Sequence, residues 1–529
     1  MKSTQFSNGK LNHSSKYRNW GLLLLCIIIM LVVGCKRDKD VDQEAPDKFN
    51  VLFVSIDDLR PQLGCYGDNV VKSPYLDAFA KDAAIFTRAY CQQALCSASR
   101  ASILTGLRPE TTGNTGMYLK GKPLDEQYPA SYTLPESFKD SDYFSFSIGK
   151  VFHQMGATSI GSDNVTDAWS VPAWNPKVGA YGPKGMQRFQ EKYDSLASAG
   201  EDMRKISSIP RVTYIEAPNV PDDQLPDGAM ANKAVEVIRE CKKNNQNFFL
   251  ALGFVKPHLP FVAPKKYWDL YNSDSLKLPP NRFHPLGVPE YTLLKDIGIY
   301  KYENGPMKGI QPSQKQAINA LHGYLACISY VDAQFQKVIQ ELKNQNLYDN
   351  TIVVVYGDHG YQIGEHNAWG TKHSNYESST RVPLFIRVPN APMNGKSSNK
   401  LVELLDIYPT LVDYCNLNKP QYKLEGMSLR PIIESDPNLR WKKEAFSIYP
   451  RNIPGIGAVM GYSMVTDTFR LVKWTAPGHN FTEYELYDHR IDSQENFNLA
   501  EVPYYKSTLD RLKRFMEYED EFNKQQLVD

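Results

Sequence analysis

Short, near-continuous apolar runs constrain the fold of this chain more than any other feature. Runs rich in β-branched and aromatic residues lie at 49–56, 143–148, 247–252, 351–356 and 383–388. Runs of this length and composition predict strands buried on both faces of a parallel sheet. Helical patterns separate them. Ser73-Pro74 opens one, with Leu76, Phe79, Ala80 and Ala83 on one face. A longer one crosses 313–343 through Leu321, Leu325, Ile328, Val331, Phe335, Val338 and Leu342. Alternating strands and helices imply an α/β fold with a large, mainly parallel sheet flanked by helices. After about residue 420 the pattern changes to short β segments at 462–465 and 469–474, which predict a smaller C-terminal α+β subdomain. Residues 155–220 and 270–312 read as irregular, and loops of that length in a compact domain are usually functional.

In such sheets the active site lies beyond the carboxyl ends of the strands. The first run is followed by Asp57-Asp58, the second by Gly149-Lys150 and then His153. The third leads to Lys256-Pro257-His258, and the fourth to Gly357-Asp358-His359-Gly360. Four strands therefore deliver carboxylates, lysines and histidines to one edge. Asp57, Asp58 and Asp358 are hard oxygen donors, suited to calcium or magnesium rather than zinc. Taken alone, Asp57-Asp58 is equally an ordinary strand-end turn. The formal net charge of +1 gives no global field toward nucleic acid, which is not an expected partner. An anionic substrate would have to be held by a local cluster of cations or metal.

The N-terminus carries its own signal. Lys10, Lys16 and Arg18 precede an apolar run at 20–33, too short for a comfortable membrane span and fitting a signal-peptide core. It ends in Val32-Val33-Gly34-Cys35, which resembles a bacterial lipobox whose cysteine is lipidated and becomes the mature N-terminus. An uncleaved anchor helix with an incidental cysteine is the other reading. Both place the protein outside the cytoplasm. The first makes it an exported lipoprotein of the periplasm or outer-membrane surface, touching the membrane through its lipid only. The expected plan is a signal peptide at 1–35, a linker at 36–47, a catalytic α/β domain at 48–420 and a C-terminal subdomain at 421–529. Cys65, Cys91, Cys241, Cys327 and Cys415 form an odd set without tight spacing, which argues against a disulfide framework.

Cys96-Ser97-Ala98-Ser99-Arg100 matches the Cys-x-Ala/Pro-x-Arg signature of sulfatases, and 104–109 (Leu-Thr-Gly-Leu-Arg-Pro) matches its extension. The chain thus resembles the type I, formylglycine-dependent sulfatases, above all the iduronate-2-sulfatase subfamily. The likeness continues through the blocks at 57–61, 64–68, 149–153, 256–261, 358–360 and 364–366. It implies an alkaline-phosphatase-like fold and the oxidation of Cys96 to formylglycine by a maturase. The hydrated aldehyde would then attack sulfur. It further implies one calcium ion (Ca2+) held by Asp57, Asp58, Asp358 and the oxidised Cys96, with His359 as a ligand or a sulfate contact. Lys150, Lys372 and Arg100 would neutralise the sulfate, and His153 and His258 would move protons. The stretch 369–373 holds one more residue than the subfamily pattern, so His373 is an alternative to Lys372. Cys96 also opens a predicted helix ending near Gly106, and a helix N-terminus favours a developing anion. A plain buried cysteine is the competing reading.

The implied substrate is a sulfated carbohydrate. The resemblance points first to uronate 2-O-sulfate of a glycosaminoglycan, with an algal glycan such as ulvan also open. Lys256 or Arg451 would meet a uronate carboxylate. Trp174, with Trp169 and Tyr181, either stacks on sugar rings or fills the loop core. The competing functions are a phosphate-ester hydrolase of the same superfamily and a non-catalytic glycan-binding lipoprotein.

Overall fold

A computed structural model describes residues 48–116, 132–153, 168–200 and 211–526. The signal peptide, Cys35 and the linker lie outside these residues. The first apolar run becomes β1 (Asn50–Ile56), with all seven residues buried. Leu52, Val54 and Ile56 enter the core on one face of the main sheet, while Val51 and Phe53 enter the core on the other. A strand covered on both faces must be apolar in both directions, which is why its sequence does not alternate.

The other main strands are β2 (Ala84–Tyr90), β3 (Phe144–Gly149), β4 (Phe248–Phe254), β5 (Thr351–Gly357) and β6 (Arg381–Arg387). Their spatial order is β2-β6-β5-β1-β4-β3. Strands β3, β4, β1 and β5 are mutually parallel, and β6 runs antiparallel to both β5 and β2. The mainly parallel α/β sheet is therefore present, with one strand reversed. The sequence reading passed over β2 entirely.

Among the helices are α1 (Pro74–Ala80), α2 (Cys96–Thr105), α3 (Pro183–Ser198), α4 (Pro226–Lys243), α5 (Gln314–Asn344) and, near the C-terminus, α6 (Lys506–Gln526). A capping box of Ser313 and Gln316 starts α5, and its seven expected apolar positions all pack on the Leu52 face of β1. Ala98, Ala101, Ile103 and Leu104 of α2 pack on the opposite face. Ser73 precedes α1 but makes no side-chain cap; its hydroxyl donates instead to Asp77. Helix α3 lies inside the stretch expected to be irregular and buries only Gly185 and Phe189. So slight an apolar face gives a weak periodic signal.

Beyond the main sheet, β7 (Ala445–Ile453), β8 (Gly457–Val465), β9 (Phe469–Thr475) and β10 (Thr482–Asp488) form an antiparallel meander. Met464, Leu471 and Leu486 on one face pack against Leu509, Leu512 and Met516 of α6. Strand β7 also touches the segment leading into α2. Ile448 N donates to Gln92 O at 2.8 Å, and Ser447 Oγ to Cys91 O at 2.6 Å.

Candidate active site

The register of β1 on β5 pairs Ile56 with Gly357, so the next residues, Asp57 and Asp358, leave the sheet side by side. Gly357 has no room for a Cβ against the carbonyl oxygen of Leu59, so the two strand ends close up only with glycine there. Asp58 takes the left-handed region at φ 62. That conformation is fixed from two sides: Asp58 N donates to Asp358 Oδ1 at 3.1 Å, and Tyr324 OH on α5 donates to Asp58 O at 2.8 Å.

Cys96 is the first residue of α2, and Arg100 follows one turn later. The guanidinium of Arg100 is fully buried. Its Nε donates to Asp358 Oδ2 at 2.9 Å, and Nη1 donates to Ser55 Oγ and to the carbonyls of Lys150 and Val151. Nη2 stops 3.6 Å from Asp57 Oδ1. Arg100 thus stands behind the carboxylates as their counter-ion. Lys150 Nζ meets Asp57 Oδ2 and Lys372 Nζ meets Asp58 Oδ1, both at 2.6 Å. Between Lys372 and its neighbour, it is Lys372 that enters the cluster. His373 turns to the hydroxyl of Tyr449, with Nδ1 at 2.6 Å.

His359 Nε2 lies 3.1 Å from Cys96 Sγ and 3.5 Å from Asp58 Oδ1 and from Asp358 Oδ2. Its Nδ1 faces Gly360 O at 3.0 Å; a carbonyl only accepts, so Nδ1 carries the proton and Nε2 addresses the thiol. His258 is held likewise, with Nδ1 2.6 Å from Leu259 O, leaving Nε2 3.9 Å from Asp58 Oδ2. Its side chain is 35% exposed, so it lies at the mouth of the cluster. His153 follows the turn after β3, half-buried. Burial and Lys150 push it down to about 3.

The electrostatics are those of a compressed charge cluster. Burial opposes the charge on Asp57, yet Lys150, His258, Arg100 and Lys372 outweigh it and hold the carboxyl well below the usual range. Burial lifts Asp58 to about 7 against the pull of Lys372, helped by the adjacent Asp57. Burial and Asp57 push the Cys96 thiol up, but Lys150, Lys372 and His359 prevail and lower it. Burial lowers His359, while Asp358 and Cys96 more than compensate and raise it to about 9. The cysteine and histidine therefore favour a thiolate–imidazolium pair.

Donor atoms of Asp57, Asp58, Cys96 and His359 all lie within 4.8 Å of one another. Asp57 Oδ1 and Asp58 Oδ2 are buried without a hydrogen-bond partner. Asp358 adjoins the group, its Oδ1 accepting from the backbone of Asp58 and His359. Unsatisfied buried carboxylate oxygens cost free energy unless a cation completes them, and oxygen-rich surroundings suit a hard divalent ion. The residues present fit calcium.

The three expected substrate contacts are placed differently. Lys256 is buried, and its Nζ donates to His258 O and Pro260 O, both at 2.7 Å. It shapes the loop that carries His258. Arg451 is also turned inward. Nε donates to Tyr291 O at 2.7 Å, Nη1 to Pro450 O at 3.0 Å, and Nη2 to Thr292 O and His373 O. Four of its five N–H groups are therefore taken, which leaves no fork for a carboxylate. Trp174 extends the edge of β3, exchanging backbone hydrogen bonds with Ser147 and Gly149 at 2.9 Å, and stays partly exposed. Trp169 and Tyr181 are core residues. Sequence reasoning missed Tyr324 and Tyr361, which back the cluster; Lys372 Nζ sits 5.9 Å above the Tyr361 ring. Tyr361 directly follows the Asp-His-Gly block, which was the available signal.

The sheet and the charge cluster at its edge define an alkaline-phosphatase-like hydrolase. The sulfatase family profile matches residues 49–417, and the C-terminal profile of N-sulphoglucosamine sulphohydrolase matches 364–521. Iduronate 2-sulfatase of Mus musculus is 31% identical over 490 residues, covering 81% of this chain and 85% of its own. A sulfatase of Formosa agariphila is 32% identical over 513 residues, covering 95% and 92%. Among solved structures, the phosphonate monoester hydrolase of Silicibacter pomeroyi superposes with a TM-score of 0.69 at 23% identity, covering 90% of this chain and 96% of that one. The chain belongs to the sulfatase family and is a sulfuric ester hydrolase.

Proposed function

We propose that this chain removes sulfate ester groups from a sulfated polysaccharide or oligosaccharide, with Cys96 matured to formylglycine beside one calcium ion. The observation that carries the reading is the pair of orphaned carboxylate oxygens, Asp57 Oδ1 and Asp58 Oδ2, buried beside Cys96 and two lysines. Asp57, Asp58, Asp358 and residue 96 would hold the ion, with His359 close by; when bound, it supplies charge that offsets the sulfate. The matured side chain of residue 96, hydrated by a water to a gem-diol, would supply the attacking hydroxyl. The rest falls to ordinary side chains. Lys150 and Lys372 face the sulfate oxygens, and Arg100 fixes Asp57 and Asp358 from behind. His258 holds a lone pair at Nε2 toward the cluster, from a partly exposed position at its mouth, where a leaving sugar oxygen would exit. His153 is the second proton carrier.

Uronate 2-O-sulfate is the first candidate substrate. It rests on the likeness to a relative named iduronate 2-sulfatase. The same reading includes a catalytic region at 48–420, a C-terminal subdomain at 421–529, and export as a lipoprotein through Cys35. Cys35→Ser should release the protein from the membrane fraction or leave it unprocessed. Cys96→Ala should abolish turnover of an aryl sulfate with the melting temperature retained. Peptide mass spectrometry of active enzyme should find formylglycine at position 96, and full activity of the Ala variant would refute the role. Parallel assays on aryl sulfate and aryl phosphate separate this reading from a phosphate-ester hydrolase.

A further inference from the structure

With Lys256 and Arg451 committed to carbonyls, two other cations, Lys301 and Arg211, stand without a counter-charge among the described residues. Lys301 ends a single turn, Gly298–Lys301. That turn is pressed onto the short strand Trp369–Thr371, which immediately precedes Lys372. Gly298, at φ 68, leaves no space for a Cβ against the carbonyls of Trp369 and Gly370, and a Cβ at Gly370 would meet Ile299 Cγ2 at 3.1 Å. The side chain of Lys301 is exposed at this seam. Arg211 stands beside it, its guanidinium 6.0 Å from the ring centre of Tyr302. Burial, Tyr181 and Asp58 push the Tyr302 hydroxyl up, and Arg211 and Lys372 oppose them.

Neither cation has an ion-pair partner among the described residues. The nearest acid in sequence, Glu303, is taken by Arg188 at 3.3 Å and Lys192 at 3.1 Å. Burial, Arg211 and Lys372 together pull Lys301 below the usual lysine range, with no carboxylate opposing them. His373 next to Lys372 is surrounded in the same way, by Lys372, His359, Arg451 and Lys301. Like charges gathered this closely repel unless an anion joins them, so their natural complement is a negatively charged ligand. On the sulfatase reading, Lys150 and Lys372 already serve the sulfate that is cleaved.

We propose that Lys301 and Arg211 bind a second anionic group of the substrate, a carboxylate or a second sulfate, on the sugar being desulfated or its neighbour. The inference rests on the sulfatase reading and narrows it to doubly anionic saccharides. Arg211 offers a planar fork suited to either anion, and Lys301 a point charge. A neutral sugar sulfate would leave both cations unmatched.

The test uses Lys301→Gln, Arg211→Gln and the double variant in the full-length matured enzyme. Three probes are compared: a 2-O-sulfated uronic acid disaccharide, a glucosamine disulfate, and 4-nitrophenyl sulfate, which has no second anion. In the double variant, kcat/KM on the better doubly anionic probe, divided by that on 4-nitrophenyl sulfate, should fall about tenfold or more. The probe that suffers tells carboxylate from sulfate. A ratio within about twofold of wild type overturns the proposal. So does wild-type preference for a neutral galactose sulfate over both anionic probes. Wild-type enzyme inert on every sulfate ester would instead overturn the sulfatase reading itself, which is a separate outcome.

Discussion

Two clusters in this molecule, one buried and one partly buried, have nearly the same ingredients and opposite chemistry. At the edge of the parallel sheet, Asp57, Asp58, Cys96 and His359 bring their donor atoms together; against the meander, Glu377, His489 and Glu495 do the same. In the second cluster every carboxylate oxygen is answered. Glu495 Oε1 accepts from Arg470 Nε at 2.5 Å and from His489 at 2.7 Å, and Oε2 accepts from Glu377 N at 2.7 Å. Glu377 accepts from Arg470 Nη2 at 2.6 Å and from Tyr90 OH at 3.2 Å. In the first cluster, Asp57 Oδ1, Asp58 Oδ2 and Arg100 Nη2 have no hydrogen-bond partner. Buried acids and histidines do not by themselves mark a site. What sets the first cluster apart is that its unsatisfied carboxylate oxygens lie together, where one ligand can complete both.

The largest expected effect sets the two clusters directly against each other. On the proposed calcium site, Asp57→Asn should abolish metal binding and lower kcat/KM by at least ~10³-fold, since it deletes the proposed ligand charge and the partner of Lys150. Glu495→Gln should leave the metal content at about one hard divalent ion per chain. Elemental analysis of purified variants decides it. Metal lost equally from both would erase the distinction.

The next effect falls on stability. Arg470 is fully buried, and Arg470→Ala leaves Glu377 without it and Glu495 with His489 alone. Breaking a buried ion pair in this way costs ~3–5 kcal/mol, read from the denaturant midpoint. A loss under ~1 kcal/mol would show that the brace is not what holds the meander in place.

Acid stability should separate the clusters as well. Burial pushes Glu495 up, but Arg470 and His489 outweigh it and bring the carboxyl down to about 2. The folded state therefore binds this proton less readily than the unfolded chain. The stabilisation is complete above the unfolded value near 4.5 and disappears as pH falls toward 2, amounting to at most ~3 kcal/mol. Glu495→Gln should flatten the stability profile between those two values. An unchanged slope would assign acid unfolding to other carboxylates.

The contrast also explains which features were legible in the sequence. The runs forming β1, β3, β4, β5 and β6 could be read because both sheet faces are covered. Strand β2 could not. Its Thr87 and Arg88 turn outward to Ser398 O and Thr466 O, so the apolar run is broken by residues satisfied only in three dimensions. Asp57, Lys150, His258 and Asp358 were legible because topology carries strand ends to one edge. The carbonyls around Arg451, like the ion pairs around Arg470, were not legible: a charged residue in sequence does not show which groups surround it. Lys301 and Arg211 lie in loops without periodicity, and only the packing of Gly298 on Trp369 brings Lys301 to the site.

The smallest expected effect tests whether the meander helps to shape the catalytic edge. Arg451 on β7 ties down His373, one residue after Lys372, through its carbonyl, while Tyr449 on the same strand holds the imidazole. Removing the guanidinium leaves the carbonyls of Tyr291, Thr292 and His373 short of a buried donor, at ~1–3 kcal/mol for each group that water cannot reach. Part of that cost appears as lost stability. The rest appears as a looser Lys372, whose ammonium the proposed mechanism sets against the sulfate oxygens. Arg451→Ala should therefore lower kcat/KM about tenfold, by the same factor on 4-nitrophenyl sulfate and on a sulfated uronic acid disaccharide. Arg451→Lys, which restores one donor, should recover part of the loss on both. A deficit confined to the disaccharide would instead make Arg451 a recognition residue. The second anion would then be held from the meander rather than from the loop of Lys301.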